Sequence, residues 1–275
     1  MPFFKTPTIA PSDIDLAVAA AERVVSVHQR VSAYLKPGVT LAHVDAFVAK
    51  QLADLDSKSA FLHYRAGGSP RFPSHACLSL NDCVVHGTAA YITRPLQEGD
   101  LLKIDVGVVH KGFIGDAAWT YSFGKPTAAV ARLMECGKES LRRGVQTLRA
   151  GNRYLQWAQS VQRTVETEYG FHLVRGLGGH GYGRKLHQAP YVSNVVPDFH
   201  TEWPESTHEI QVGTLVAVEP MIAIGTGQVR QVKNEWPVYS ADGSMTVHYE
   251  HDVLVTESGP RVLTAGLEKL PDIVG

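Results

Sequence analysis

Cysteine is scarce in this chain: its 275 residues carry three, Cys77, Cys83 and Cys136, an odd number without metal-type spacing. That argues against a disulfide framework and suits a reducing compartment. An excess of one charge is also missing, with 26 Lys plus Arg against 27 Asp plus Glu and a net charge of −1. No field therefore favours DNA, RNA or an anionic membrane as the main partner. Long apolar runs are absent too. The most apolar late stretch, Leu215–Ile224, is short and broken by Glu219, so no transmembrane span is expected. Residues 1–11 place prolines where a signal peptide needs a continuous apolar helix, with no basic run before one, and a cytoplasmic protein is expected. No linker rich in Ser, Gly or charge divides the sequence, so residues 1–275 read as one domain.

What is present is enough apolar sequence, 44% of residues, to bury a sizeable core. Ser12, with Asp15 three residues on, reads as a capping box opening a helix that runs to Tyr34 before Pro37-Gly38. Thr40 opens a second helix, with Leu41, Val44, Phe47, Val48, Leu52 and Leu55 at helical spacing. Residues 66–73 are loop, and 76–86 are extended with a break near Asn81-Asp82. Helical segments 127–149 and 155–169 form a second pair, followed by short strands at 171–175, 214–222, 228–233 and 246–256. Helix pair, β-ribbon, helix pair, β-ribbon implies an α+β fold of two similar halves.

The chemistry centres on residues 101–122. Two runs rich in β-branched residues, Leu101–Val109 and Phe113–Tyr121, meet at His110-Lys111-Gly112 and read as an antiparallel hairpin. Folding about that turn sets Asp105 opposite Asp116, with Cβ atoms roughly 5 Å apart. Two carboxylates that close repel unless a cation sits between them. Further on, Gly178-Gly179-His180-Gly181 carries a histidine in a glycine-rich loop, where positive φ and close backbone approach let it reach inward. Glu219, in Leu215–Ala223, and Glu250, in Val247–Val255, lie in runs that read as buried strands, where an unpaired carboxylate is costly. Four carboxylates with one imidazole suit two hard-to-borderline divalent ions such as manganese, iron, cobalt or zinc. Such a pair activates water and polarises a carbonyl or phosphoryl oxygen.

At these residues the sequence resembles the methionine aminopeptidases of the pita-bread metallopeptidase fold. That family's ordered ligands fall on Asp105, Asp116, His180, Glu219 and Glu250, and its two further histidines on His86 and His187. The resemblance implies a fold of two pseudo-symmetric halves, each a helix pair with antiparallel β-structure. It implies two divalent ions (cobalt, manganese, iron, zinc or nickel), one chelated by Asp105, the other held by His180 and Glu219, with Asp116 and Glu250 bridging. A metal-activated water would attack the first peptide carbonyl. Glu219 would shuttle the proton, His187 would bond the carbonyl oxygen and His86 would contact the peptide nitrogen beyond the scissile bond.

Phe72, Cys77, Leu186 and Trp236 would line the methionine pocket, with His86 at its rim. Small second residues would be preferred. Partners implied are the N-termini of nascent polypeptides and the ribosome, with the enzyme a monomer. Gln188 stands where the family usually has an acidic residue, and Ala66 where many relatives have a pocket cysteine. The short His187–Glu219 interval and the lack of an amino-terminal zinc-binding extension imply a type I, bacterial-style form. The alternatives are a related peptidase acting on X-Pro bonds, which usually carries a separate amino-terminal domain, and a non-catalytic relative that has lost ligands and binds RNA or protein.

Overall fold

The computed structural model describes residues 7–275; residues 1–6, part of the stretch read for a targeting signal, lie outside them. Helix α1 spans Ile14–Tyr34 and follows a 3-10 turn at Pro11–Asp13. The capping box expected from Ser12 and Asp15 does not form: Asp13 is the N-cap, without a side-chain hydrogen bond. Pro11, with its preset φ, initiates this end instead. Helix α2, Leu41–Asp54, does begin as its sequence indicates, Thr40 accepting from the N–H of His43.

The second pair is shorter than expected. Helix α3 is Ala128–Val145, capped by Thr127, and α4 is Tyr154–Gln162, continued by a π-helical turn at Arg163–Glu168. Among the described residues, no helix is long and apolar enough to cross a membrane.

Strands Leu101–His110 and Phe113–Phe123 form the expected hairpin. Its turn is two residues, Lys111 and Gly112, at φ of 49° and 76°, the signature of a type I′ turn whose twist matches the strands. His110 therefore pairs with Phe113, and Asp105 faces Ala118 while Asp116 faces Gly107. The direct Asp105–Asp116 pairing is thus corrected to a diagonal one, two residues out of register and on the same face of the ribbon. Strands Cys77–Leu80 and Lys58–Ser59 pair with the outer edge of Leu101–His110.

In the second half, Gly178–Gly181 is a strand rather than a loop, between Gln188–Ser193 and Leu215–Val218. None of Gly178, Gly179 and Gly181 has positive φ. Their role is close approach: a Cβ on Gly179 would lie 2.2 Å from the Ala217 carbonyl oxygen, and one on Gly181 2.2 Å from that of Ala189. Strands His251–Thr256 and Gly259–Val262 complete this sheet. Met221–Ala223 pairs with Thr246–His248 and His172–Leu173 in a separate ribbon.

The runs read as continuous strands around Glu219 and Glu250 are in fact broken there, between Val218 and Met221 and between His248 and His251. Pro220 has no N–H for a ladder, and the breaks free both glutamates from strict alternation.

The halves are stitched along one seam. The Asp116 N–H donates to Asp252 Oδ2 at 2.9 Å, the Glu250 N–H to Ala118 O at 2.9 Å, and Thr120 Oγ1 to His248 O at 2.7 Å. Behind it, the backbone of α1 at Ala20 and Ala21 approaches Gly115, where a Cβ would lie 2.7 Å from the helix. A buried cluster running from Val24 to Val274 joins both halves.

Gly179→Ala forces its strand off Ala217. We expect a loss of about 2 kcal/mol or more, read as a lower urea midpoint at unchanged slope.

Candidate active site

A cleft of about 660 Å³ lies on the seam, and all eleven site residues singled out from the sequence line it: Phe72, Cys77, His86, Asp105, Asp116, His180, Leu186, His187, Glu219, Trp236 and Glu250. Asp105 and Asp116 come from the hairpin, His180 from the glycine strand, and Glu219 and Glu250 from the two strand breaks. His180 Nε2 stands 3.9 Å from Asp116 Oδ2 and 4.0 Å from Glu219 Oε1. Among the described residues, two groups of donors each bring one ligand atom per residue within 4.8 Å of the others: Asp116, His180 and Glu250, and Glu219, His248 and Glu250. Glu250 belongs to both, the position of a shared ligand. Asp105 belongs to neither and faces Asp116 and the Cys77 thiol.

These carboxylates cannot all be charged unaided. Burial first, with His248 opposing and Glu219 adding to it, lifts Asp105 to about 7. Burial and the charges of neighbouring carboxylates push Asp116 and Glu250 well above the ordinary range. Burial holds His180 down at about 4, so its ring is neutral and its lone pair available. Asp105 Oδ1 and Asp116 Oδ1 are buried without a hydrogen-bond partner. Oxygen donors left bare, beside neutral imidazole, fit divalent ions.

Beside this set lies an aromatic pocket. Phe72 meets Trp236 edge-on at 5.2 Å between centroids, and Trp236 meets His86 at 5.8 Å. Trp236 Nε1 donates to Pro70 O at 3.1 Å, which fixes its ring. Phe61, Phe72, Cys77, Leu186 and Trp236 share a small apolar cluster apart from the main core. His86 has φ of 60°, a strained backbone for a non-glycine residue, and burial lowers its pKa to about 4.

His187 stands at the open mouth, its ring 4.3 Å from that of His180 and its Nδ1 2.7 Å from Tyr64 Oη. Gln188 donates from Nε2 to Tyr182 O at 3.0 Å, a bond that an ionised acidic residue could not make. Ala66 also lines the cleft.

Three residues escaped the sequence reading. His248, buried, places Nε2 3.0 Å from Glu219 Oε2. Asp252, fully buried, holds the Asp116 backbone. Both lie within two residues of Glu250, in the run Val247–Val255 that the sequence marks as buried. Tyr64 lies in irregular chain, and no local pattern announces its contact with His187.

Two helix pairs on antiparallel ribbons, with acidic and imidazole groups gathered at their seam, define a metallopeptidase of the pita-bread fold. The sequence profile of metallopeptidase family M24 matches residues 15–257, and the chain belongs to that family. It is 34% identical to a methionine aminopeptidase of Aquifex aeolicus over 92% of this chain and 96% of that one. It is 31% identical to the methionine aminopeptidase of Escherichia coli, over 92% of both. Among solved structures, a methionine aminopeptidase from Thermotoga maritima superposes with a TM-score of 0.84 at 31% identity, covering 94% of this chain and 99% of that one. A prolidase from Pyrococcus furiosus, 20% identical, shares the fold at a TM-score of 0.72, with 65% of its length covered.

Raised carboxylate values mean that the metal-free native state keeps protons the unfolded chain has released. Their contribution to stability is present below about pH 4 and is lost as pH rises through about 7. His86 and His180 act oppositely, their contribution being lost as pH falls from 6.5 toward about 4. Bound Mn²⁺ replaces the carboxylate protons. The rise in Tm on adding it should therefore be several degrees larger at pH 8 than at pH 6, by differential scanning fluorimetry. Equal increments would show carboxylates already ionised without metal.

Proposed function

We propose that this chain removes the N-terminal methionine from peptides and nascent proteins, preferring small second residues. The observation that carries the reading is the junction of two environments in one cleft: a buried carboxylate–imidazole set and, directly beside it, a closed apolar pocket of Phe72, Cys77, Leu186 and Trp236. A flexible thioether is well matched to such a pocket, and methionine seated there would present its peptide bond to the polar set. The relatives named above support it, being matched almost end to end, whereas the prolidase is matched over 65% of its length. The same reading makes residues 1–275 one domain, working as a monomer in the cytoplasm on chains emerging from the ribosome.

Asp105, Asp116, His180, Glu219 and Glu250 would hold two divalent ions, with Glu250 and Asp116 shared. When bound, such ions supply Lewis acidity toward the peptide carbonyl and lower the pKa of water. The chain's own groups do the rest. Glu219 accepts the water proton on a carboxylate oxygen and returns it to the leaving amine. With Tyr64 Oη 2.7 Å from His187 Nδ1, a hydroxyl donating there would leave the neutral ring its proton on Nε2, to be donated to the carbonyl oxygen as it gains charge. His86, neutral at working pH, meets the nitrogen of the residue beyond the scissile bond. His248 braces Glu219 from behind.

Metal-stripped protein resupplied with Mn²⁺ or Co²⁺ should cleave Met-Ala-Ser but neither Ala-Ala-Ser nor Met-Lys-Ser. Cleavage of none, with ions bound, would overturn the assignment. Glu250→Ala should lose both metal and activity, while His187→Ala should lower kcat about 100-fold or more with metal content intact by atomic absorption. Alkylation of Cys77 should block cleavage of Met-Ala-Ser; unaltered turnover by fully alkylated protein would remove it from the pocket.

A further inference from the structure

We propose that Lys103 is a positioning residue for His86: its buried amine ties the turn at Asn81 to the strand that carries Asp105, and so holds His86 where it meets the substrate nitrogen. The inference rests on the reading of the main cleft as a methionine aminopeptidase site. Lys103 lies two residues before Asp105 and is 1% exposed. Among the described residues it is in no ion pair, and Asp82, an acidic residue that acts on it, is engaged by Arg230 at 3.0 Å. Its Nζ donates instead to Asn81 O at 2.6 Å. Burial lowers its pKa to about 7, and the amine donates to that carbonyl in either protonation state. Burying a polar group on a carbonyl alone is costly to a fold, so the place of that carbonyl shows what the amine does.

The Asn81 carbonyl joins three segments. Besides Lys103 it accepts from the Thr246 N–H at 3.1 Å and from Thr246 Oγ1 at 3.0 Å. Lys103 precedes Asp105 by two residues, Thr246 precedes His248 by two, and Asn81 precedes His86 by five. His248 has a second hold, because Thr120 Oγ1 bonds its N–H at 3.1 Å and its carbonyl oxygen at 2.7 Å. His86 depends more on the turn. Asn81 and His86 both take positive φ, 53° and 60°, and such backbone persists only where its surroundings fix it. Beyond His86, Gly87 O accepts from the Leu78 N–H at 2.7 Å and Gly87 N–H donates to Ser79 Oγ at 3.0 Å. Lys103 thus serves both ends of the segment that carries His86, bonded to Asn81 at one and paired across the ladder with Ser79 at the other.

Removing the amine leaves Asn81 O with its Thr246 donors. The turn then stays satisfied but is released from the strand that carries Asp105, and His86 moves with it. A methionine at 103 fills a similar volume and takes a polar group out of the interior, a kind of exchange that folds tolerate or gain from. Fold and rate therefore separate at this position, which they would not at a residue that only packs.

The test is a double-mutant cycle on kcat/KM for Met-Ala-Ser with the Mn²⁺-loaded protein, comparing Lys103→Met, His86→Ala and the two combined. We expect Lys103→Met, folded by its thermal melt and with bound Mn²⁺ unchanged, to lower kcat/KM about tenfold to a hundredfold. The combined variant should be no slower than His86→Ala. Losses that multiply in the combined variant, unaltered turnover in Lys103→Met, or loss of Mn²⁺ from it, which would make Asp105 the residue affected, would each overturn the proposal. Lys103→Gln, shorter and still polar, goes through the same cycle if Lys103→Met fails to fold, and the same outcomes decide. Full activity of His86→Ala would overturn the role given to His86, and this proposal with it, while leaving the methionine reading standing. No cleavage by the unaltered protein would overturn that reading first.

Discussion

Buried negative charge is the constraint around which this molecule is built. Asp105, Asp116, Glu219, Glu250 and Asp252 converge on the seam, and the charge of each makes ionisation of its neighbours harder. Desolvating so many carboxylates without partners would cost more than a typical domain's whole margin of stability. Two responses are open to the protein: keep protons on them, or hold cations among them. The bare oxygens of Asp105 and Asp116 and the neutral ring of His180 favour the second. The histidines contribute by staying uncharged, since an imidazolium would fill the place of a metal with a proton.

Holding that charge in register requires both halves at once. The hairpin carries two acids and the second half three more, and what aligns them is the run of alternating bonds from Asp116, Ala118 and Thr120 to Asp252, Glu250 and His248. Small residues let the helices back this seam closely. Gly115 admits the α1 backbone, and in α3 Gly137 and Gly144 admit the rings of Tyr249 and Trp157. A Cβ at any of these positions would force apart elements that pack directly against one another. Packing and chemistry are therefore not separable here, and variants far from the cleft can alter the ligand set through the seam.

The parts legible in the sequence are those written in local pattern. Thr40 and Thr127 mark helix starts because a threonine oxygen can satisfy an orphan amide within its own turn. The hairpin is legible because β-branched runs flank a glycine. Its register is not, since Lys111 adopting positive φ beside Gly112 moves every pairing, and only the match of turn twist to strand twist decides it. The five acidic and imidazole residues and the aromatic pocket stand out through an ordered family pattern, and the structure brings them into one cleft. His248 and Asp252 flank Glu250 by two residues on either side, but the strand break between His248 and His251 leaves no regular alternation to mark them as its companions. The Tyr64–His187 contact spans more than a hundred residues of sequence and is decided by tertiary packing alone.

The two strand breaks show why the site's geometry belongs to the whole fold. A glutamate inside a regular strand would point to one face or the other, and its backbone would be satisfied by the ladder. At both breaks the ladder is interrupted, so those backbone groups need partners from elsewhere. Asn194 supplies one for the Glu219 carbonyl, itself bracketed by Trp157 Nε1 at 3.3 Å, and Ala118 supplies one for the Glu250 N–H. One bracket comes from the loop that follows strand Gln188–Ser193, the other from the hairpin. Each glutamate is thus aimed by a segment distant in sequence, and the direction of its carboxylate reports whether that segment is in place.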